Sequence, residues 1–312
     1  MPTPISSHAT FRLPHLGVLQ FLGPGAIDFL QGQVSNDTRR LAAGAPLLAA
    51  YSSAQGRVIA VLNLVPHSSG VLALLPRDVL AATAERLRRF ILRAKVKIED
   101  ASERFAVSGA RDAAALAAAG LEVPDERGYL EREGIGIVRV GPAATGAHRY
   151  WVIRSASLAA EPADPDSERD WRLADIRAGL PAVYAATSEA FVAQMLNLDL
   201  LDGISFSKGC YTGQEIIART QHLGRIKRRM FRLRLAAGDW PIGAPVKLAD
   251  GRSGRLVEVA RAEEHAEALA VLSLEPGVSN DSAPDTTAAA AAAALAVELP
   301  LPYSVGASVG GA

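Results

Sequence analysis

The chain has one cysteine, Cys210, among 312 residues. A lone thiol excludes an internal disulfide and any metal cage built from cysteines of a single chain. Net charge is also absent: Lys plus Arg is 33 and Asp plus Glu is 33. That argues against a globally basic nucleic-acid binder or a polyanionic tail. Long apolar runs are missing; no stretch reaches the ~18 residues that a membrane span requires. The first 16 residues carry Pro2, Pro4 and Pro14 and no continuous apolar block. They do not read as a secretory signal, so the expected location is the cytoplasm, where a thiol stays reduced.

Familiar catalytic patterns are missing too. Gly23-x-Gly25 has Asp28 where a dinucleotide-binding loop needs its third glycine, and Gly134-x-Gly136 has Arg139. There is no phosphate-cradling loop with its Gly-Lys-Ser/Thr end and no Gly-x-Ser-x-Gly elbow. The six histidines are scattered, with no pair at the spacing of zinc ligands on a helix. Lysine is scarce: five of the 33 basic residues. With the abundant alanine, this reflects base composition rather than mechanism.

At roughly 100–200 residues per domain, the length predicts two or three domains. A chain of this size buries about three quarters of its unfolded surface. Half of the residues, 49%, are apolar, as in soluble globular proteins. Helices are predicted at 26–33, at 78–95, at 111–120 and at 170–178. The 78–95 helix carries an apolar stripe of Val79, Leu80, Leu87, Phe90, Ile91 and Ala94. Strands are predicted at 47–51, 58–65, 71–75, 96–98 and 105–107, with a loop at 160–167. The mixture lacks a strict strand–helix–strand rhythm and implies an α+β fold. Beyond Arg229 the pattern turns to alternation, with Phe231, Leu233 and Leu235 against Arg232 and Arg234. This marks a small β-domain from about 226 onward. Within it, residues 279–294 are low-complexity and end in consecutive alanines, a loop or short helix.

One segment concentrates chemistry. Residues 205–220 read Ser-Phe-Ser-Lys-Gly-Cys-Tyr-Thr-Gly-Gln-Glu-Ile-Ile-Ala-Arg-Thr. Thr212 and Glu215 have capping-box spacing, with Thr212 as the N-cap. Cys210 would then stand two residues before a helix whose N-terminus carries about half a positive charge. Lys208 adds a full charge if it points the same way, and both favour a thiolate. Gly209 and Gly213 permit tight turns and close approach of a ligand. The competing reading is a buried cysteine used as a small apolar filler, Glu215 as a cap only and Tyr211 as a core aromatic. A second signal is the basic run Arg225, Lys227, Arg228, Arg229, Arg232 and Arg234. It would suit a polyanion, but a solvated strand face is preferred.

Lys208-Gly209-Cys210-Tyr211-Thr212-Gly213-Gln214-Glu215 resembles the signature of the YgfZ-type folate-binding proteins, relatives of the glycine-cleavage T-protein. Further resemblance lies in Phe29-Leu30-Gln31-Gly32-Gln33-Val34-Ser35-Asn36-Asp37, in Ala54-Gln55-Gly56-Arg57-Val58, in Arg177-Ala178-Gly179-Leu180-Pro181 and in 191–202. It covers most of residues 20–235. The resemblance implies two interleaved α+β subdomains over 1–225 and a C-terminal β-barrel over 226–312. It further implies a tetrahydrofolate-binding accessory protein that supports assembly or repair of 4Fe–4S enzymes, with an indirect effect on tRNA modification. Cys210 and Lys208 would carry the chemistry. Gly209, Tyr211, Gly213, Gln214, Glu215, Arg219, Asn36 and Arg177 would face tetrahydrofolate or a derivative. Expected partners are folate and iron–sulfur client or assembly proteins; neither a membrane nor direct nucleic-acid binding is expected.

Two departures from the T-protein count against aminomethyl transfer. After the stretch Gly56-Arg57-Val58-Ile59 the chain continues Ala60-Val61, where that enzyme has acidic residues. Arg177 stands where it has a glutamate that holds the pterin, and an arginine accepts no hydrogen bond. A conventional enzyme is therefore not expected. The alternative is a folate-dependent one-carbon transferase; a third reading is an RNA-associated module using the basic run. One cysteine cannot hold a cluster that normally needs four ligands. No metal is expected within one chain, and Cys210 is a candidate transient iron ligand.

Overall fold

The computed structural model describes residues 9–141, 148–159, 163–222, 226–276 and 296–305. Its strands are β1 (Thr10–Arg12), β2 (Leu16–Leu22), β3 (Leu47–Ser52), β4 (Val58–His67), β5 (Gly70–Pro76), β6 (Lys97–Asp100), β7 (Phe105–Ala110), β8 (Tyr129–Arg132), β9 (Ile135–Val140) and β10 (Arg149–Ser155). They continue with β11 (Arg228–Ala236), β12 (Pro245–Lys247), β13 (Ser253–Arg261), β14 (His265–Ser273) and β15 (Val297–Leu299). The helices are α1 (Ala26–Gln31), α2 (Arg77–Arg88), α3 (Ala113–Ala118), α4 (Pro165–Ala178) and α5 (Gln214–His222). None of them is long and apolar enough to cross a membrane. The mixed α and β content with antiparallel sheets bears out the expected α+β class.

The chain divides into two compact units, each assembled from three stretches. The first comprises Met1–Leu30, Thr38–Leu47 and Asn63–Trp171; the second comprises Gln31–Asp37, Leu48–Leu62 and Arg172–Ala312. In the first unit, the far half of β4 pairs with β5, β5 with β2 and β2 with β6, all antiparallel. Helix α2 buries Val79, Leu80, Thr83, Ala84 and Leu87, which recur every three or four residues and so share one face. A second antiparallel sheet has the order β1-β7-β10-β9-β8. Asp112 caps α3 by accepting the Ala115 N–H at 2.8 Å.

The second unit holds β3, the near half of β4 and a five-stranded sheet of order β12-β13-β14-β11-β15. Its long pair, β11 and β14, runs from Arg228↔Ser273 to Ala236↔His265. Alternation splits the sheet into two faces. Phe231, Leu233, Leu235, Ala266, Ala268, Ala270 and Leu272 share one apolar cluster. Met230, Leu269 and Val271 enter the other, with Ile176 of α4, Ile217 of α5, Leu196 and Phe191. The expected barrel is seen, among the described residues, as a sheet with β12 and β15 at its edges.

Several element boundaries differ from the sequence expectation. Helix α2 stops at Arg88 rather than 95, because the chain must turn to bring the Lys95 carbonyl to the Gly25 N–H at 3.1 Å. Helix α1 stops at Gln31. Helix α4 begins at Pro165, so 165–167 are helical and not loop; proline fits a first turn. Strands β1, β2, β8, β9 and β10 had no counterpart in the sequence reading. The low-complexity stretch 279–294 lies outside the described residues.

Candidate functional site

Lys208 organises the signature segment, all within the second unit. Its side chain is buried, with 6% exposure for the residue. The ammonium donates to the carbonyls of Gln31 at 2.7 Å, Val34 at 2.7 Å and Asn36 at 2.9 Å. Three donors in a tetrahedral head thus meet three main-chain acceptors. The Tyr211 ring lies 4.8 Å from the same nitrogen, a cation–π contact. Burial pushes the Tyr211 hydroxyl up to about 12.

The loop that presents those carbonyls is itself tied down. Val34 bridges Tyr51, and the Ser35 N–H donates to the Ala50 carbonyl at 2.9 Å. The Ser35 hydroxyl donates to the Gly203 carbonyl at 2.6 Å and accepts the Ala50 N–H at 2.8 Å. The Asn36 amide donates to the carbonyls of Leu48 at 2.8 Å and Asp202 at 2.6 Å. Its own carbonyl accepts the Asp37 N–H at 2.8 Å. Every polar atom of the Asn36 side chain is therefore engaged inside the fold.

The helix start differs from the expected capping box. Gly213 has φ +82°, a left-handed conformation, so α5 begins only at Gln214. Gln214, not Glu215, reaches back: its side-chain oxygen accepts the Tyr211 N–H at 3.2 Å. The Thr212 N–H donates to the Gly32 carbonyl at 3.3 Å. Glycine at 213 also allows a close approach, since a Cβ there would sit 2.6 Å from the Ser53 carbonyl. Gly56 (φ +70°) meets the helix from the β3–β4 turn, where a Cβ would lie 2.7 Å from Ile216. Glu215 is exposed and 3.8 Å from Arg219, one helical turn on.

Beyond this anchor the chain opens. Gly209 and Cys210 are exposed, and a Cβ added to Gly209 would meet nothing within 4 Å. The competing reading of an apolar filler cysteine is thereby overturned. Lys208 turns its charge into the carbonyl cradle and not toward the exposed Cys210, and α5 begins four residues after Cys210 instead of two, so the expected support for a thiolate is not met. Nearby, the buried Gln33 Oε1, Ser52 Oγ and Ser53 Oγ have no hydrogen-bond partner. No group of three or more His, Cys, Asp or Glu side chains is placed to hold a metal among the described residues.

A second polar group lies on the sheet and helix α4. Arg177 donates through Nε (3.0 Å) and Nη2 (2.7 Å) to Glu267 Oε1. Arg232 donates likewise to Oε2, at 2.9 and 2.7 Å. Burial raises the Glu267 carboxyl, but the two guanidinium groups outweigh it and hold the group below its ordinary value. A β-bulge between Leu256 and Glu258 leaves Val257 as an extra residue. Glu258 accepts from Arg172 Nε at 2.9 Å and from the Tyr184 hydroxyl at 2.6 Å. Burial pushes this carboxyl above its ordinary value, against the Arg172 charge.

The basic run is a solvated face only in part: Lys227 and Arg234 are exposed as expected, but two of its arginines are taken up inside the fold. Arg229 is buried, bidentate on Asp199 and bonded to the Gln194 carbonyl at 2.9 Å. Arg232 is taken up by Glu267, and Arg225 lies outside the described residues. Of the sequence-predicted site residues, Asn36, Lys208, Tyr211, Gly213 and Gln214 meet in one cradle beside the exposed Gly209 and Cys210. Glu215 and Arg219 sit on the outer face of α5, and Arg177 is bound to Glu267. Ser35, Gly56, Glu258 and Glu267 were not singled out. Gly56 carries a sequence signal, as the turn between two strand-like runs, and Ser35 lies in the resembling block 29–37; Glu258 and Glu267 carry none.

The fold is that of a glycine-cleavage T-protein. The chain resembles the crystal structure of glycine cleavage system aminomethyltransferase T from Bartonella henselae, with a TM-score of 0.64 and 14% identity over 85% of this chain and 78% of that one. No family model matches the chain. Among curated proteins it is 33% identical over 273 residues to the tRNA-modifying protein YgfZ of Serratia proteamaculans, covering 82% of each. The match to the protein of the same name from Escherichia coli is 30% over 301 residues, 91% of this chain and 89% of that one. The chain belongs to the YgfZ family.

Proposed function

We propose that the chain is a tetrahydrofolate-binding accessory protein that supports assembly or repair of 4Fe–4S enzymes through Cys210. The observation that carries this reading is the contrast within the signature. Lys208 fixes the backbone by three hydrogen bonds, and two residues later Cys210 lies open beside an unobstructed Gly209. An exposed thiol on a pinned segment suits a transient iron ligand or a redox partner, with remaining ligands from a client protein or small thiols. The relatives' name brings tRNA modification to this chain as a downstream effect of its iron–sulfur clients.

Folate binding is supported by the T-protein fold. The unpaired buried oxygens of Gln33, Ser52 and Ser53 fit the donors and acceptors of a polar heteroaromatic ring. Bound tetrahydrofolate would supply a reduced pterin and a one-carbon-carrying nitrogen. Arg177, bound to Glu267, is a positioning residue in this reading. The second reading, one-carbon transfer, draws on the same fold. Against it, the buried Ala60 and Val61 stand after the Gly-x-Val-Ile stretch, where the T-protein has acidic residues.

Calorimetric titration with tetrahydrofolate tests the folate reading. Saturable binding that weakens in Glu267→Gln is expected; no binding by the folded native chain would overturn it. Turnover of an aminomethylated or methylated substrate with tetrahydrofolate would instead favour the transferase.

A further inference from the structure

One set of cations that the fold leaves available lies just beyond helix α2, in the first unit. Residues 88–97 read Arg-Arg-Phe-Ile-Leu-Arg-Ala-Lys-Val-Lys. Phe90 is 48% exposed and Leu92 is 89% exposed. Arg93 and Lys95 are exposed and have no ion-pair partner among the described residues. Arg89 pairs with Glu85, and Lys97 with Glu99. The segment is held at both ends. The Arg88 guanidinium donates twice to the Ile98 carbonyl, at 3.1 and 3.0 Å, and the Lys95 carbonyl accepts from Gly25. Phe90 and Leu92 thus stand in water on an anchored backbone.

We propose that this segment binds single-stranded RNA, with phosphates on Arg93 and Lys95 and a base stacked on Phe90 beside Leu92. Exposed cations interleaved with an aromatic face are what a strand of bases and phosphates requires. Exposure alternates along Arg93, Ala94, Lys95, Val96 and Lys97, so cations recur at every second residue. A lipid surface fits less well. The apolar part is two side chains, and the irregular backbone around them would have to leave water. This inference is independent of the folate reading.

Fluorescence anisotropy with a labelled single-stranded oligoribonucleotide and an unmodified tRNA transcript, over a potassium chloride series, tests it. The native chain is expected to bind with a steep salt dependence. Arg93→Gln with Lys95→Gln should reduce the slope of log K against log salt by about 1.4, at ~0.7 per contact. Phe90→Ala should weaken binding about tenfold at constant slope. Lys247→Gln, an exposed cation of β12, should change nothing, and all variants should melt with the native chain. No RNA binding at low salt would overturn the proposal. So would binding indifferent to these substitutions, or binding of phosphatidylglycerol vesicles without RNA that the same substitutions abolish.

Discussion

Two buried cations of the second unit solve one problem differently. Lys208 is 6% exposed and Arg229 is 5% exposed. Arg229 meets a carboxylate, Asp199, in a fork-to-fork pair. Lys208 meets three main-chain carbonyls that converge from residues 31–36. The first arrangement ties two side chains together. The second ties a distant loop to the signature through the backbone, and only an ammonium has the tripod of donors for it. That explains a lysine at this position in a chain whose cations are nearly all arginine.

Reciprocal swaps would break or sharpen this contrast. Lys208→Arg should cost about 3 kcal/mol or more, because a planar guanidinium leaves at least one of the buried carbonyls unpaired. Arg229→Lys should cost about 2 kcal/mol, since one charged hydrogen bond is lost while the ion pair survives. Urea unfolding measures both; equal costs would remove the distinction. Gly213→Ala comes next, at about 1–2 kcal/mol for a side chain in the left-handed region, with the Ser53 carbonyl in its way.

The two sheet carboxylates give a pH test. Glu267 is held below its ordinary value, so its contribution is full above the unfolded value near 4.3 and is lost as pH falls through the lower folded value. Glu258 is pushed up, so the native fold loses stability as pH rises from about 4.3 through the folded value. Relative to the native chain, Glu258→Gln should therefore gain stability as pH rises, and Glu267→Gln should lose it. Slopes of the same sign would contradict the geometry. The smallest effect belongs to Glu215→Ala: the exposed Glu215–Arg219 pair should contribute no more than about 0.5 kcal/mol.

Much of this was legible in the sequence, and the limits have physical causes. The alternation of Phe231, Leu233 and Leu235 marked β11 because one face is apolar and the other carries arginines. The run 205–220 marked the site because its glycines, lysine and cysteine are adjacent in the chain. The clamp itself was hidden, since its acceptors are main-chain carbonyls some 170 residues away, which no side-chain pattern announces. The sequence pattern extends helix α2 too far because Phe90 and Ile91 continue its period, while the bond that ends it, Gly25 to Lys95, is non-local. Arg229 and Arg232 looked solvated because Asp199 and Glu267 are remote in sequence.

The most direct test of the account uses cells that lack this protein, supplied with the native chain or with Cys210→Ala, the variant's expression and folding checked. Activity of a 4Fe–4S-dependent enzyme is the readout. The account predicts rescue by the native chain and none by the variant, since the proposed function works through that thiol. Equal rescue by both would contradict it and leave Cys210 without the role assigned to it.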